Sequence, residues 1–255
     1  MPPLSGLGIW IWQLSQCEHG NVDAIIAKAK SCGVAWLAIK AGENHSNGQV
    51  TKALVDKLRG AGIVPVAWWY CLPGAPNTTA QLSFLAKLRA DTGVEHFICD
   101  AEIEWEQGEH RAEAATFAQE LQMAVGFDAY LADAPWPIAT LHPTWPWAQF
   151  GAVMAQRHDQ LYWREAGQPF TVFAHRADAA WSQQPKVPAR CPIGSTVNDA
   201  GEHAPISELA AFLDHYALTE ARSLWSWQHL SADEWALLKE RATPPTVPTP
   251  LPAEA

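Results

Sequence analysis

At 255 residues, 48% hydrophobic and 17% charged, the chain is long and apolar enough to bury a large core, yet no apolar run reaches the roughly 18 residues of a membrane span. A formal charge of −10 with no run of Lys or Arg argues against nucleic acid as a partner, because phosphate binding needs clustered cations. Cys17, Cys32, Cys71, Cys99 and Cys191 are odd in number and widely spaced, so buried, reduced thiols are expected rather than disulfides or a zinc site.

Short apolar runs rich in β-branched and aromatic residues alternate with longer stretches of helical period. The first strand is expected at 8–14 (GIWIWQL) and a helix at 22–32, with Val22, Ile25, Ile26 and Ala29 on one face. A second strand at 35–40 leads to a helix at 50–59 that Gly60-Ala61-Gly62 ends. The third strand, 63–71, holds Pro65 near its start, where a missing N–H does least harm to a sheet. Asn77 is expected to cap the third helix, and the fourth strand spans 95–104. A helix at 109–124 and a strand at 127–133 come next. Residues 134–147 carry four prolines and three tryptophans and read as a long loop, either a stacking wall or a rigid lid. A fifth helix, a strand at 160–164, a helix at 170–183, a strand at 191–197 and a helix at 206–217 follow. The eighth strand is SLWSWQHL, and Ser231-Ala232-Asp233-Glu234 is a capping box that opens the eighth helix.

Eight strand–helix repeats fit a single (β/α)8 barrel over residues 1–242, and no Gly-x-Gly-x-x-Gly follows the first strand to suggest an open dinucleotide-binding sheet. The proline-rich residues 243–255 read as an extended tail, a possible joint to a larger assembly.

Three acids, Asp100, Glu102 and Glu104, alternate at the end of the fourth strand and are therefore expected on one face. Burial under helices without partners is too costly for three carboxylates, which places them in the interior at the C-terminal mouth, where barrel enzymes carry their chemistry. Crowded carboxylates raise one another's pKa, leaving one protonated beside an ionised neighbour, the division of labour that glycosidic cleavage requires. The simpler alternative is salt bridging to Lys40 or Arg164. Tyr70, Trp68, Asp133, Tyr162, Trp225, Trp227, Gln13 and Lys40 are the candidate sugar contacts, and the 14 tryptophans suit stacking on sugar rings as well as core packing. No His-x-x-x-His or His-Glu-x-x-His, Gly-x-Ser-x-Gly elbow or phosphate loop is present, so no metal or cofactor is expected.

The strand FICDAEIE resembles the acidic strand of glycoside hydrolase family 25, the Chalaropsis-type lysozymes, at Asp100 and Glu102. WLAIKAGE, PVAWWYCLPG, DAYLAD and LYW are similar to that family's second, third, fifth and sixth strands, a thread of short motifs over about the first 165 residues. The resemblance implies Glu102 as general acid and Asp100 as its partner. That family carries an Asp in its first strand, and the stretch Gly8-Ile9-Trp10-Ile11-Trp12-Gln13 has none. The spacing Asp100-x-Glu102-x-Glu104 is also similar to the acidic strand of chitinase-like family 18 barrels, which implies Glu104 as acid, Tyr162 beside the acetamido group, and Trp225 or Trp227 under the sugar. Both resemblances imply a hydrolase acting on an N-acetylated glycan, peptidoglycan first among them. The missing first-strand acid keeps open a barrel that binds glycan without cutting it, as a structural module of a phage-type particle for instance. The amino terminus shows no secretory signal, so synthesis in the cytoplasm is expected, with release by lysis or carriage on a particle to the cell wall.

Overall fold

Strand β1 (Gly6–Ile11) pairs in parallel with strands on both of its sides, and every strand pair of the sheet is parallel. The structure, a computed structural model, describes residues 2–184, 187 and 189–242, so the proline-rich tail expected at 243–255 lies outside the described residues. After β1 come α1 (Val22–Ser31), β2 (Val34–Gly42), α2 (Lys52–Gly60), β3 (Val64–Cys71), α3 (Ala75–Thr92), β4 (His96–Ala101), α4 (Ile103–Glu106), α5 (Arg111–Val125), β5 (Tyr130–Asp133) and α6 (Trp147–Gly151). The chain continues through β6 (Gln156–Arg157), β7 (Gln160–Leu161), α7 (Phe170–Trp181), β8 (Ala189–Arg190), β9 (Ile193–Ser195), α8 (Ile206–His215), β10 (Ala221–Trp225) and α9 (Ala232–Ala242).

β6 and β7 are two pieces of one barrel strand, interrupted at His158-Asp159, and β8 and β9 are two pieces of the next. β6 pairs with β5 and β8, whereas β7 pairs with β9, and β9 with β10. Since β10 returns to β1, the ring closes as an eight-stranded parallel (β/α)8 barrel.

Alternation along each strand sorts two cores. Ile9, Leu37, Trp69, Phe97 and Leu131 face outward into the helix layer. Trp10, Trp36, Trp68, Ile98, Tyr130 and Ile193 fill the barrel interior. The helices start where local chemistry says they should. Asn21 Oδ1 accepts the N–H groups of Asp23 and Ala24 at α1, and Thr51 Oγ1 accepts that of Leu54 at α2. The capping box closes in both directions at α9: Ser231 N–H donates to Glu234 Oε2 at 2.6 Å and Glu234 N–H to Ser231 Oγ at 3.3 Å. Asn77 is not the cap of α3, which begins at Ala75 after Gly74; its side-chain amide instead donates to Pro73 O. All five cysteines are buried and free.

Candidate active site

β3 and β4 run in register, so Tyr70 and Asp100 are direct neighbours at the C-terminal mouth. Lys40, Tyr70 and Asp100 continue the interior phase of Ala38, Trp68 and Ile98 on their strands. This phase places Asp100 in a cavity of about 650 Å³ together with Glu102, Tyr70, Lys40, Gln160 and Tyr162. Trp10, Trp68 and Trp225 form its floor, with ring centroids 5.4–5.9 Å apart. Two of these indoles are locked from below, as Trp10 Nε1 donates to Ser223 Oγ and Trp68 Nε1 to Ile11 O, both at 3.1 Å. Lys40 Nζ lies 5.3 Å from the Trp68 ring and is paired with Glu43 at 3.0 Å.

Asp100 is 6% exposed, and burial followed by the charge of Glu102 pushes its carboxyl well above the usual range, against the pull of Lys40 and Gln160. Burial also raises Glu102, with Glu104 adding to the effect and Gln160 opposing it. A single nitrogen, Gln160 Nε2, lies 3.0 Å from Asp100 Oδ1, 3.0 Å from Glu102 Oε1 and 2.8 Å from Ala134 O. The outer wall carries Glu165 and Asp199. Burial, then the hydrogen bond and charge of Asp199, push Glu165 up to about 6.

Glu104 is where the expected alternation breaks. β4 stops at Ala101 because β3 offers no pairing beyond Cys71, and Glu102 leaves the ladder at φ −111°, ψ −143°. Buried Trp105 then pulls the chain round: its Nε1 donates to Cys71 O at 2.7 Å, and its ring packs on Phe117 and Phe150. Glu104 therefore sits in α4 rather than on a shared strand face. It does not line the cavity but reaches its edge through Tyr70, whose O–H lies 2.9 and 2.8 Å from its two carboxylate oxygens. Burial and this bond raise the Tyr70 hydroxyl pKa.

Of the expected sugar contacts, Trp68, Tyr70, Lys40, Tyr162 and Trp225 line the cavity; Asp133, Trp227 and Gln13 do not. Asp133 shares the outward phase of Leu131, and its fully buried carboxylate takes Arg157 Nε at 2.9 Å and Nη2 at 2.7 Å. Trp227 is buried against Trp235, ring centroids 4.6 Å apart, under α9. Gln13 lies in the loop after β1 and pairs with Gln16.

The 134–147 loop divides in two. Trp145 and Trp147 are buried against each other, ring centroids 4.6 Å apart, and the Arg157 guanidinium packs beside the pair at 5.6 and 5.0 Å, while Trp136 turns into the cavity. Trp136 stacks on His142 at 14°, and His142 Nδ1 is 2.7 Å from Glu106 Oε2. The sequence did not single out Gln160, Trp10, Trp12, Trp136, Glu165 or Asp199. Phase was the available signal for two of them: Gln160 shares a face with Tyr162 in the expected sixth strand, and Trp10 alternates with Gly8 in the first.

Fold and site thus define a (β/α)8 barrel with paired carboxyls over an indole floor. No protein-family model matches the chain, and no curated protein does. Solved structures are similar to it at the level of the fold. A chitinase from Bacteroides thetaiotaomicron is 11% identical with a TM-score of 0.65, over 93% of this chain and 95% of that one. A glycoside hydrolase family 18 N-acetylglucosaminidase from Paenibacillus barengoltzii is 7% identical, TM-score 0.63, over 94% and 100%. The spore cortex-lytic enzyme SleL of Bacillus cereus is 8% identical, TM-score 0.63, over 94% and 75%. The barrel is therefore similar in fold to family 18 chitinase-like barrels.

Proposed function

We propose that the chain is a glycoside hydrolase cleaving an N-acetylated glycan, peptidoglycan first, with Glu102 as general acid and Asp100 as its partner. The observation that carries this reading is the placement of two adjacent carboxyls, both held toward their neutral form, in an aromatic cavity at the barrel's C-terminal mouth. Protonating a glycosidic oxygen near neutral pH needs a carboxyl raised above its ordinary value, and a second carboxylate to stabilise the oxocarbenium-like transition state or attack it. Glu102 meets the first need and lines the cavity. Glu104 does not line the cavity, and both of its carboxylate oxygens are engaged by the Tyr70 hydroxyl. The indole floor offers sugar C–H faces a platform, and Lys40 and Tyr162 supply polar contacts to hydroxyl or acetamido groups. The chitinase and the cortex-lytic enzyme among the similar barrels are consistent with this substrate class.

Release of reducing sugar from purified peptidoglycan and from chitin oligomers is the test. Glu102→Gln is expected to lower kcat by about 10²–10⁴-fold, the usual worth of a general acid, and Glu104→Gln much less. Loss in Glu104→Gln alone would transfer the acid role to Glu104. A second reading, glycan binding without cleavage, is favoured by β1, whose inward residue at the mouth is Trp10 and not an acid. Retained binding with no release by the unaltered protein would establish it.

A further inference from the structure

An amide nitrogen carries two hydrogens, and Gln160 Nε2 faces three acceptors. Its identity as the nitrogen end follows from Ala134 O, a carbonyl that accepts and cannot donate. The shortest contact, 2.8 Å, is to that carbonyl, which leaves one N–H for two carboxyl oxygens each 3.0 Å away. The group cannot shift to favour either: Gln160 is 2% exposed, and its backbone N–H is fixed to Pro135 O at 3.0 Å. Two ionised carboxylates would share a single hydrogen and repel each other. One added proton resolves both conflicts, since the ionised carboxylate takes the N–H and the neutral one turns its own O–H outward.

We propose that Gln160 is a positioning residue that holds the Asp100–Glu102 pair at a single proton, so that one carboxyl is kept charged and the other presents its proton to the ligand. The inference rests on the hydrolase reading for its purpose but not for its geometry. The other charged or titratable groups around the pair are Lys40 and Glu43 at the end of β2, Tyr70 from β3, Glu104 from α4, Tyr162 and Glu165 after β7, Asp199 after β9 and His229 after β10. Among these Lys40 is the cation, and it is already engaged with Glu43. Gln160 thus supplies the neutral donor that reaches both carboxyls, and its bond pulls each toward the ionised form.

Gln160→Leu removes the donor at nearly constant volume, and Gln160→Met does so with a more adaptable side chain. The readout is the carboxyl ¹³C NMR titration of the pair, assigned with Asp100→Asn and Glu102→Gln, beside the pH profile of kcat and KM. Both steps of the titration are expected to move up by about one unit. The rise of kcat on the acid limb should move up with them, about tenfold in rate per unit there, while KM stays within about twofold. A lowered Tm with an unmoved titration in folded Gln160→Leu and Gln160→Met would overturn the proposal by reducing Gln160 to a packing role. Absence of hydrolysis by the unaltered protein would end the hydrolase reading, yet the titration would still decide this one.

Discussion

Asp100 lies at the end of β4 at the barrel mouth, where burial and the charge of Glu102 make its ionised form costly to hold. Because its folded pKa is raised above the unfolded value of about 3.9, the folded state binds a proton that the unfolded state lacks. Stability from this group is full below about pH 4 and is lost as pH climbs toward the raised folded value. Asp100→Asn removes that loss while keeping an oxygen for Gln160 to donate to. The variant should melt higher than the unaltered protein at pH 7, by about 2–4 °C if the relief is roughly 1 kcal/mol, with the gap closing at pH 4. Scanning calorimetry at the two pH values checks it, and an unchanged or lowered Tm at pH 7 would mean that the carboxyl is not strained. A gain in stability with a loss of activity is the trade expected of a functional carboxyl.

At the scale of elements, the long loop 134–147 is tied down by a buried ion pair rather than by secondary structure. Asp133, at the end of β5, holds both Arg157 Nε and Nη2, and the guanidinium in turn packs beside the Trp145–Trp147 pair. That arrangement explains why an acid at a strand's C-terminal end looked like a ligand contact. Its position along the strand is right, but its phase is outward, and a one-residue change of phase moves a side chain from the mouth to the helix layer. Asp133→Ala would take from the buried guanidinium the carboxylate that holds its Nε and Nη2, and breaking a buried pair costs about 3–5 kcal/mol, read as a fall in Tm of about 6–20 °C. Asp133→Asn should recover part of it, and glycan binding by the folded fraction should persist, because Asp133 touches no part of the cavity. Strands one to five were legible since each is a continuous apolar run with alternating faces. Of the sixth and seventh only the second pieces, β7 and β9, fall in the expected ranges; the first pieces, β6 and β8, are two residues each and carry Gln156, Arg157 and Arg190, so no periodic signal marks them. Gln160 stood inside the expected sixth strand in the phase of Tyr162, yet a neutral amide carries no sign of the carboxyls it joins.

For the whole molecule, the abundance of tryptophan has a structural use that composition could not separate from a sugar-binding one. Trp10, Trp36, Trp68 and Trp225 stand inside the barrel; three form the cavity floor, and Trp36 lies beneath, its ring 5.5 Å from that of buried His158. Side chains this large fit a closed eight-stranded ring where a neighbouring strand gives way. β1 gives way at Gly8, in register with Trp36 on β2. A Cβ on Gly8 would come within 2.1–2.3 Å of the Trp36 ring atoms Cε2, Cζ2 and Cδ2, far inside contact distance. Gly8→Ala therefore has to displace a fully buried indole, and overpacking of this kind costs about 1–3 kcal/mol. The barrel being closed, the strain cannot be released at a free sheet edge. Gly8→Ala should lower Tm by about 3–10 °C. Combining it with Trp36→Leu, which vacates the ring's space, should cost less than the sum of the two single changes by at least about 0.5 kcal/mol. Strict additivity in that double-mutant cycle would mean that Gly8 and Trp36 do not compete for the same volume.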